Sequence, residues 1–393
     1  MPPLVAFAPW IALAVYILIK VRLPRPLNGA LPVVNVSDRA TPLVSVIVPA
    51  RNEERSIQSC VESIAASDYP DFEVIVVDDR SDDATLELAR AILPNHARSI
   101  VVIEGEELPK GWMGKPWACA QGARVAEGDL LLFTDADTVH EPELLGQAVA
   151  GMLEDEGDAL TLLGRQIMET FWERLVQTHM MAAMIFRFPN PGRPLRPERW
   201  RDAIANGQFM LFERGAYEEI GGHEAVKGEI VEDQRLAQIL CRSGKRLVVR
   251  AAETVFATRM YRSLDELIEG WSKNLSLAAR QSVPHWAVPI VMPAGIVVGV
   301  LIWIVPPVVL LVSLAGVGPT TSPTESGPND WVTWSAWITG LSVVAWSLVS
   351  WRLKAPFWTG AFYPLASGVV NYIFLRSWIR GGHIEWKGRQ YRV

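Results

Sequence analysis

The sequence has few of the residues that build metal clusters, disulfide frameworks or phosphate loops. Three cysteines (Cys60, Cys119 and Cys241) and six scattered histidines occur in 393 residues, and neither set has the spacing of a metal site or a disulfide scaffold. A reducing compartment is therefore the default. No glycine-rich phosphate loop follows a predicted strand, so a bound nucleotide would need a metal ion to neutralise its diphosphate.

An excess of positive charge is also lacking. Lys and Arg number 37 against 43 Asp and Glu, which gives a net charge of -6. Proteins that bind the phosphate backbone of a nucleic acid usually carry a basic patch. We therefore expect no nucleic-acid partner.

Long apolar runs are present, and they are confined to the two ends of the chain. Residues 4–19 are uncharged, and Lys20, Arg22 and Arg25 follow them. Because no charge precedes the run, residues 1–22 are interpreted as an uncleaved anchor rather than a signal peptide. The positive-inside rule then puts the residues that follow in the cytosol.

Three further apolar blocks, 287–316, 331–351 and 357–375, predict a C-terminal membrane region over 286–378, with a basic tail at 379–393. Basic residues follow both the second and the third block, and simple alternation of three spans cannot leave both groups in the cytosol. Either the first block crosses twice or the third is re-entrant, and the sequence leaves this open. We expect an integral protein of a bacterial inner membrane with its middle domain in the cytoplasm.

Residues 40–280 read as a soluble domain in which strands and helices alternate. The pattern predicts strands at 43–48, 74–77, 100–103, 129–134 and 159–163, with helices at 53–66, 83–93, 115–126 and 142–154. Continuous apolar strands between amphipathic helices are typical of an α/β fold with a mostly parallel sheet covered on both faces. Ligands of such sheets bind beyond the carboxyl ends of the strands.

Three of these strand ends carry polar side chains. The first ends in residues 49–54, the second in 78–82, and the fourth in Asp135-Ala136-Asp137. Two carboxylates one residue apart are hard oxygen ligands for a divalent cation. Each end alone could be turn chemistry, and Asp82 is a good candidate to cap the following helix. Three polar ends at one edge of a sheet favour a nucleotide site.

Five segments together resemble the family 2 glycosyltransferases. They are VSVIVPARNEE at 44–54, EVIVVDDRSDD at 73–83, GK at 114–115, FTDAD at 133–137 and VEDQRLA at 231–237. The resemblance covers residues 40–260 and implies a Rossmann-like GT-A fold. It also implies transfer of a sugar from a nucleotide donor, with UDP-sugars favoured, and Mg2+ or Mn2+ as the cation.

The resemblance assigns roles to matching positions. It implies that Pro49, Arg51, Asn52 and Glu53 line the nucleobase and ribose pocket. Asp79 and Asp78 would contact the base, and Lys115 and Glu232 would lie near the donor. Asp137 would be the main metal ligand, with Asp135 at the metal or the ribose. Two further positions would reach the donor from other segments, Gln208 in the loop 206–209 and Trp271 closing over the diphosphate.

The same resemblance makes Asp233 the general base that deprotonates the acceptor. Inverting transfer needs a base opposite the leaving group and a Lewis acid on the departing diphosphate. A retaining route would instead need a nucleophilic carboxylate beneath the sugar, which the residues alone leave open and the family match disfavours. The alternative for Glu232-Asp233 is an acidic helix N-terminus facing the helix dipole. Trp271 could likewise be an interfacial anchor.

One departure from the family pattern bears on the product. Processive members of the family carry a Gln-x-x-Arg-Trp motif, and residues 259–274 have no Arg-Trp pair. Its absence predicts transfer of one sugar rather than polymerisation. Segments 111–123, 259–274 and 384–393 are more similar to the hopanoid-associated and carotenoid subgroup.

The segment 171–188 is rich in Met and aromatic residues, and four arginines follow it among prolines at 189–201. This composition is typical either of ordinary core or of an interfacial segment that contacts membrane lipids. We interpret it as the entry for a lipid acceptor such as a carotenoid, a hopanoid or a ceramide-like lipid. Two alternatives are a polyprenyl-phosphate sugar transferase and a non-enzymatic membrane component that binds or exports a nucleotide sugar.

Overall fold

The computed structural model describes residues 7–27, 41–315, 330–380, 383–386 and 389–392. Residues 316–329, between the first two apolar blocks, and parts of the basic tail lie outside these residues. The chain divides into two compact units, which we call the sheet unit and the helical unit. The sheet unit comprises Arg22–Ile167, Asn190–Met260 and Gly382–Val393, and the helical unit comprises Met1–Val21, Met168–Pro189 and Tyr261–Gly381.

Twelve strands are found among the described residues. They are β1 Val44–Ala50, β2 Phe72–Asp78, β3 Ile100–Glu104, β4 Leu130–Thr134, β5 Thr138–His140, β6 Ala159–Leu163, β7 Arg165–Gln166, β8 Phe209–Glu213, β9 Leu247–Ala251, β10 Phe256–Thr258, β11 His383–Trp386 and β12 Arg389–Arg392.

Thirteen α-helices accompany them in the same part of the chain. They are α1 Ala8–Lys20, α2 Ile57–Ala65, α3 Thr85–Arg90, α4 Gly114–Val125, α5 Leu144–Glu154, α6 Thr178–Arg187, α7 Arg214–Glu219, α8 Glu232–Arg242, α9 Leu264–Ser282, α10 Val288–Trp303, α11 Val305–Leu314, α12 Asp330–Arg352 and α13 Tyr363–Arg380. Short 3-10 or π turns lie at Glu173–Gln177, Pro197–Asp202, Gly222–Val226, His285–Ala287 and Phe357–Phe362.

The main sheet has seven strands in the order β3-β2-β1-β4-β8-β6-β9. All neighbours are parallel except β8, which runs antiparallel to both β4 and β6. Strands β2 and β4 are buried along their whole length, as expected when helices cover both faces. The predicted mostly parallel α/β sheet is confirmed.

The strand order brings the polar strand ends together. β1 lies between β2 and β4, and Ala50 at its end is the register partner of Asp78. β4 ends at Thr134, so Asp135 begins the turn that follows it. That turn leads into β5, which pairs with β10 in a second, three-stranded sheet. The turn is therefore held at both ends by strand pairing.

The predicted cap of the helix after β2 is wrong. The helix begins at Thr85 rather than at 83, and Asp82 does not cap it. The Asp82 carboxylate is exposed and lies 3.5 Å from the Arg51 guanidinium. Ala84 is the N-cap residue, and the Asp83 carboxylate before it accepts a hydrogen bond from the Thr85 N–H at 3.0 Å.

Two helices of the helical unit are long and apolar enough to cross a membrane by length and composition, namely Val288–Leu314 and Trp331–Arg352. The helix Val288–Leu314 contains a break at Ile304, just before Pro306 and Pro307. The two prolines have no backbone N–H to donate to the helical hydrogen bonds. The third predicted block forms a 3-10 turn and then α13, which does not meet this criterion. Helix α1 has 13 residues, about 20 Å of helix against a hydrocarbon core of about 30 Å, so an N-terminal anchor stays a prediction.

Candidate active site

Lys115 is the centre of a charged cluster within the sheet unit. It is the second residue of α4, and its Nζ lies 2.7 Å from Asp135 Oδ1 and 2.9 Å from Glu232 Oε1. Asp135 comes from the turn after β4, and Glu232 is the first residue of α8. Three segments that are distant in sequence therefore meet at one ammonium group, as the family resemblance implies.

The cluster keeps Lys115 charged. Burial opposes the ammonium form, but the carboxylates of Asp135, Glu232 and Asp233 outweigh it and hold the pKa of Lys115 well above its ordinary value. Glu232 is 5% exposed, and the ammonium lies beside its carboxylate in a site with little water. Lys115 thus joins the predicted metal-binding turn to the predicted base.

Asp233 is held by backbone amides. Its Oδ2 accepts a hydrogen bond from Gly207 N at 2.7 Å, and its Oδ1 accepts one from Gln234 N at 2.7 Å. Burial and the neighbouring charge of Glu232 raise the pKa of Asp233 to about 6, although Lys115 and the two amides oppose the shift. A carboxylate with a pKa close to neutral is ionised at pH 7 and basic enough to accept a proton in a transition state.

Gly207 approaches the cluster closely because it has no side chain. A Cβ built at this position would lie 2.9 Å from Asp233 Oδ2 and 3.1 Å from Lys115 Nζ. Its N–H is also one of the two donors to Asp233. A side chain at position 207 would therefore displace the Asp233 carboxylate or the Lys115 ammonium.

We expect Gly207→Ala to lower kcat by roughly 10 to 100-fold, because displacement of a catalytic group by about 1 Å can cost this much. Donor binding and the thermal unfolding midpoint should change little. Gly215→Ala is the matched control, since a Cβ there meets one flexible side-chain atom at 3.7 Å. Equal kcat for Gly207→Ala and the wild type would contradict the importance of this contact.

The end of β2 forms a second, separate acidic group. Asp78 and Asp79 are 3% and 2% exposed. Asp78 Oδ2 accepts a hydrogen bond from Ser81 N at 3.1 Å, whereas Asp78 Oδ1 is buried without a hydrogen-bond partner among the described residues. A buried acceptor of this kind is costly unless a ligand satisfies it, which fits a contact with a bound nucleobase.

The Arg51-Asn52-Glu53 segment braces the loop after β2. The Arg51 guanidinium donates to the backbone carbonyls of Asp79 and Arg80. Asn52, at φ 53°, exchanges hydrogen bonds with Ser81 and Asp82, and Glu53 N donates to Thr85. These contacts hold the loops that follow β1 and β2 together, where the nucleobase pocket is predicted. Pro49 lies inside β1, in register with Val77 of β2.

The residues that could hold a metal ion are Asp135 and Asp137, which flank the buried Ala136 after β4. Among the described residues, no group of three or more His, Cys, Asp or Glu side chains could hold a metal ion by itself. Two carboxylates on one turn fit Mg2+ or Mn2+, which usually retain open positions for waters and substrate phosphates. The donor set therefore fits a cation that a diphosphate helps to bind.

A buried polar network supports this turn, and the sequence reasoning missed it. Thr138 Oγ1 donates to the carbonyl of Asp135 at 2.8 Å, and His140 Nε2 lies 3.1 Å from both Thr134 Oγ1 and Thr138 Oγ1. Burial lowers the pKa of His140 to about 3, so this histidine is neutral. The only sequence signal was a pair of threonines flanking the acidic tripeptide.

Two predicted donor residues have structural partners instead. Gln208 is buried, and its side chain bonds Asn206 and Thr258. Trp271 lies in a core cluster of the helical unit, where its indole N–H donates to Gln177 Oε1 at 2.9 Å. A role for either residue at the donor stays a prediction.

His223 belongs to the core of the sheet unit. Its ring lies 2.8 Å from the Tyr217 hydroxyl, and it packs on Phe133 with ring centroids 4.5 Å apart. Burial, aided by the charge of Lys115, lowers the pKa of His223 to about 3. A buried neutral histidine with a hydroxyl partner is not available to a substrate.

Comparison with known proteins agrees with this geometry. Residues 45–221 match the model of Glycosyl transferase family 2. A 4,4'-diaponeurosporenoate glycosyltransferase of Staphylococcus aureus is 25% identical over 362 residues, which cover 89% of this chain and 88% of that protein. The enzyme of the same name from Staphylococcus haemolyticus is 26% identical over 250 residues, 62% of this chain and 64% of that protein.

The fold has a solved counterpart in a mannosyltransferase of Pyrobaculum calidifontis, determined with GDP-Man and Mn2+. The two chains superpose with a TM-score of 0.52 over 95% of this chain and 94% of the other, at 18% identity. That similarity establishes the GT-A fold. Residues 45–221 therefore form a Glycosyl transferase family 2 domain, and the protein is a glycosyltransferase of the GT-A fold.

Proposed function

We propose that the protein transfers a single sugar, with inversion, from a nucleotide-sugar donor to a hydroxyl group of a carotenoid-type lipid. The observation that supports this most strongly is the cluster around Lys115. It joins the Asp135-Ala136-Asp137 turn to Glu232 at 2.7 and 2.9 Å, with Asp233 next to it on α8. A diphosphate-binding group and a base in one cluster are what inverting transfer needs.

In this proposal Asp233 accepts the proton of the acceptor hydroxyl as its oxygen attacks the anomeric carbon. The bond from that carbon to the diphosphate breaks on the opposite face, and the nucleoside diphosphate leaves. Gly207 N and Gln234 N hold the Asp233 carboxylate in place for this step. Lys115 and Glu232 would remain beside the departing diphosphate and keep the charge of the site balanced.

Asp137 and Asp135 would hold Mg2+ or Mn2+, which when bound would act as a Lewis acid on the diphosphate. Asp78 and Asp79 would accept hydrogen bonds from the base, and uracil and guanine both present a ring N–H to a carboxylate. A UDP-sugar is our first choice of donor. Pro49, Arg51, Asn52 and Glu53 would form the wall of this pocket, and Gln208 would approach the donor from the loop 206–209.

The lipid acceptor is suggested by relatives that act on 4,4'-diaponeurosporenoate and by the two long apolar helices. We infer an integral protein of a bacterial inner membrane, anchored at 1–22 and 286–378, with a cytoplasmic catalytic domain at 40–280 and a basic tail at 379–393. The segment 171–188 has a mixed character, since Val176 and Met180 are buried and Phe186 is 49% exposed. Its exposed face would meet membrane lipids and the acceptor.

The metal assignment predicts that Asp137→Ala loses activation by Mn2+ and donor affinity together. The cation contributes several kcal/mol to charge stabilisation, so we expect activity to fall by roughly 100-fold or more. Calorimetric titration of UDP with and without MnCl2 is the measurement. Glu143→Gln, which changes an exposed acid after β5, is the control. UDP binding to Asp137→Ala that still depends on MnCl2 would contradict the assignment.

The function itself is tested with the detergent-purified full chain. Labelled UDP-glucose, UDP-GlcNAc and GDP-mannose are each incubated with a carotenoid, a hopanoid, a ceramide and a polyprenyl phosphate, with Asp233→Asn as the blank. We expect label in the carotenoid fraction from one donor. Label in polyprenyl phosphate alone would favour the alternative transferase, and no label with any pair would contradict the proposal.

A further inference from the structure

The C-terminal hairpin contributes a charged side chain to the acidic group at the end of β2. Strands β11 and β12 pair antiparallel and belong to the sheet unit. Arg389, the first residue of β12, donates through both terminal nitrogens to the Asp79 carboxylate, from Nη1 to Oδ2 and from Nη2 to Oδ1 at 3.1 Å. The two residues are 310 positions apart.

This ion pair is well shielded from water. The Asp79 side chain is 3% exposed and that of Arg389 is 18% exposed. A guanidinium that engages both oxygens of a carboxylate fixes its orientation as well as its charge. In the pocket that we propose for the nucleobase, Arg389 therefore determines which way the Asp79 oxygens point.

The groups around Asp79 shift the pKa of its carboxyl group in opposite directions. Burial raises the pKa of its carboxyl group, and the adjacent Asp78 adds to this, whereas the hydrogen bond and charge of Arg389 and the charge of Arg51 lower it. Arg51 is directed elsewhere, because its Nη1 donates to the backbone carbonyls of Asp79 and Arg80 and its Nη2 lies 3.5 Å from Asp82 Oδ2. Loss of Arg389 would leave a buried carboxylate that protonates more readily.

An ionised carboxylate has about four lone-pair sites and accepts only. Two of these lone-pair sites accept N–H groups of Arg389, so the remaining sites can accept an N–H group of a ligand. A protonated carboxyl would instead present an O–H where a base N–H must be received. The ion pair is thus compatible with a nucleobase and favours one that presents a ring N–H.

We propose that Arg389 is a positioning residue of the donor site, which orients the Asp79 carboxylate to accept the ring N–H of a nucleoside diphosphate. The inference rests on the proposed donor site and extends it to the C-terminal hairpin. It makes the hairpin a determinant of nucleotide affinity and base selectivity.

The test is calorimetric titration of the detergent-purified full chain with UDP, GDP and CDP. Uracil and guanine have a ring N–H, whereas the cytosine ring has none at the corresponding edge. We expect Arg389→Ala to weaken binding of the donor nucleotide, UDP or GDP, by about tenfold, which is about 1.4 kcal/mol. The weak binding of CDP should stay unchanged. The loss should be larger at pH 6 than at pH 8, because the unpaired Asp79 carboxyl protonates at low pH. Arg389→Lys should recover part of the affinity.

Two variants make the result specific. In an Asp79→Asn background, Arg389→Ala should have no further effect on nucleotide binding, and Arg98→Ala, which removes an exposed arginine paired with Asp71, should bind UDP like the wild type. The inference would be overturned if Arg389→Ala lost equal affinity for UDP and CDP. It would also be overturned if Arg389→Ala bound UDP more tightly, which would mean that the hairpin blocks the pocket. If the wild-type protein binds neither UDP nor GDP, the proposed donor site itself is overturned.

Discussion

Replacement of Asp233 by Asn should abolish sugar transfer and leave donor binding nearly intact. A positioned general base typically contributes 10²- to 10⁴-fold in rate, and the amide cannot accept the proton. The amide is similar in size to the carboxylate, so the contact with Gly207 N can persist through its oxygen. We therefore expect kcat to fall by about 1000-fold, with the KM for the donor changed by less than about threefold because ground-state binding is retained.

The wild-type enzyme should show the same group in its pH profile. With the pKa of Asp233 raised to about 6, the base is protonated below pH 6, and kcat should rise with pH through that value and then level off. Glu229→Gln is the matched control, since this acid on the same stretch is 37% exposed and pairs with Arg235. Normal turnover by Asp233→Asn would show that another group, or none, removes the proton.

Replacement of Lys115 by Met should have the second-largest effect, because it removes the only cation that contacts both Asp135 and Glu232 among the described pairs. Breaking a buried ion pair commonly costs about 3–5 kcal/mol. The pKa of Asp233 should also rise, since Lys115 lowers it. A larger fraction of the base would then be protonated at pH 7, and activity should be partly recovered by raising the pH to 8.

Thermal unfolding and a pH–rate profile measure these two consequences separately. We expect the unfolding midpoint to fall by several degrees and the rising limb of kcat to move to higher pH. Lys110→Met removes an exposed lysine five residues earlier and should change neither quantity. Lys115→Arg should preserve more stability than Lys115→Met. An unshifted pH profile in Lys115→Met would show that Lys115 does not affect the pKa of the base, and it would contradict the role proposed for the cluster.

The raised pKa of Asp233 has a cost in stability. A carboxyl group that binds its proton more tightly when folded destabilises the native state as pH rises from its ordinary value of 3.8 to about 6. Above that window the folded protein holds an ionised carboxylate in a buried site. The compensation comes from the ammonium of Lys115 and from the amides of Gly207 and Gln234, which explains why these groups converge there.

Much of the sheet could be predicted because its strands are short apolar runs bounded by polar residues. The runs that end before residues 49, 78 and 135 each form a strand, and their ends meet because β1 lies between β2 and β4. Prediction from the local sequence pattern was wrong where tertiary contacts determine the structure. Asp82 looked like a helix cap, but the helix begins at Thr85, and Arg51 lies beside the Asp82 carboxylate instead.

The internal geometry of the site was not readable from the sequence. Nothing in the local pattern indicates that Gly207 donates to Asp233, or that Arg389 reaches Asp79 across 310 positions. Trp271 is the opposite case. Its residue type suggested a donor or interfacial role, but its side chain is buried and bonds Gln177. Contacts between distant segments depend on packing, and a single sequence does not record it.

The most direct test of the account is the anomeric configuration of the product formed from an α-linked nucleotide sugar. NMR of the purified glycolipid gives this from the coupling constant of the anomeric proton. With Asp233 as a base opposite the departing diphosphate, the account predicts a β-linked sugar and one sugar per lipid. An α-linked product would contradict it, because retention needs a nucleophile on the protein or attack on the same face as the leaving group.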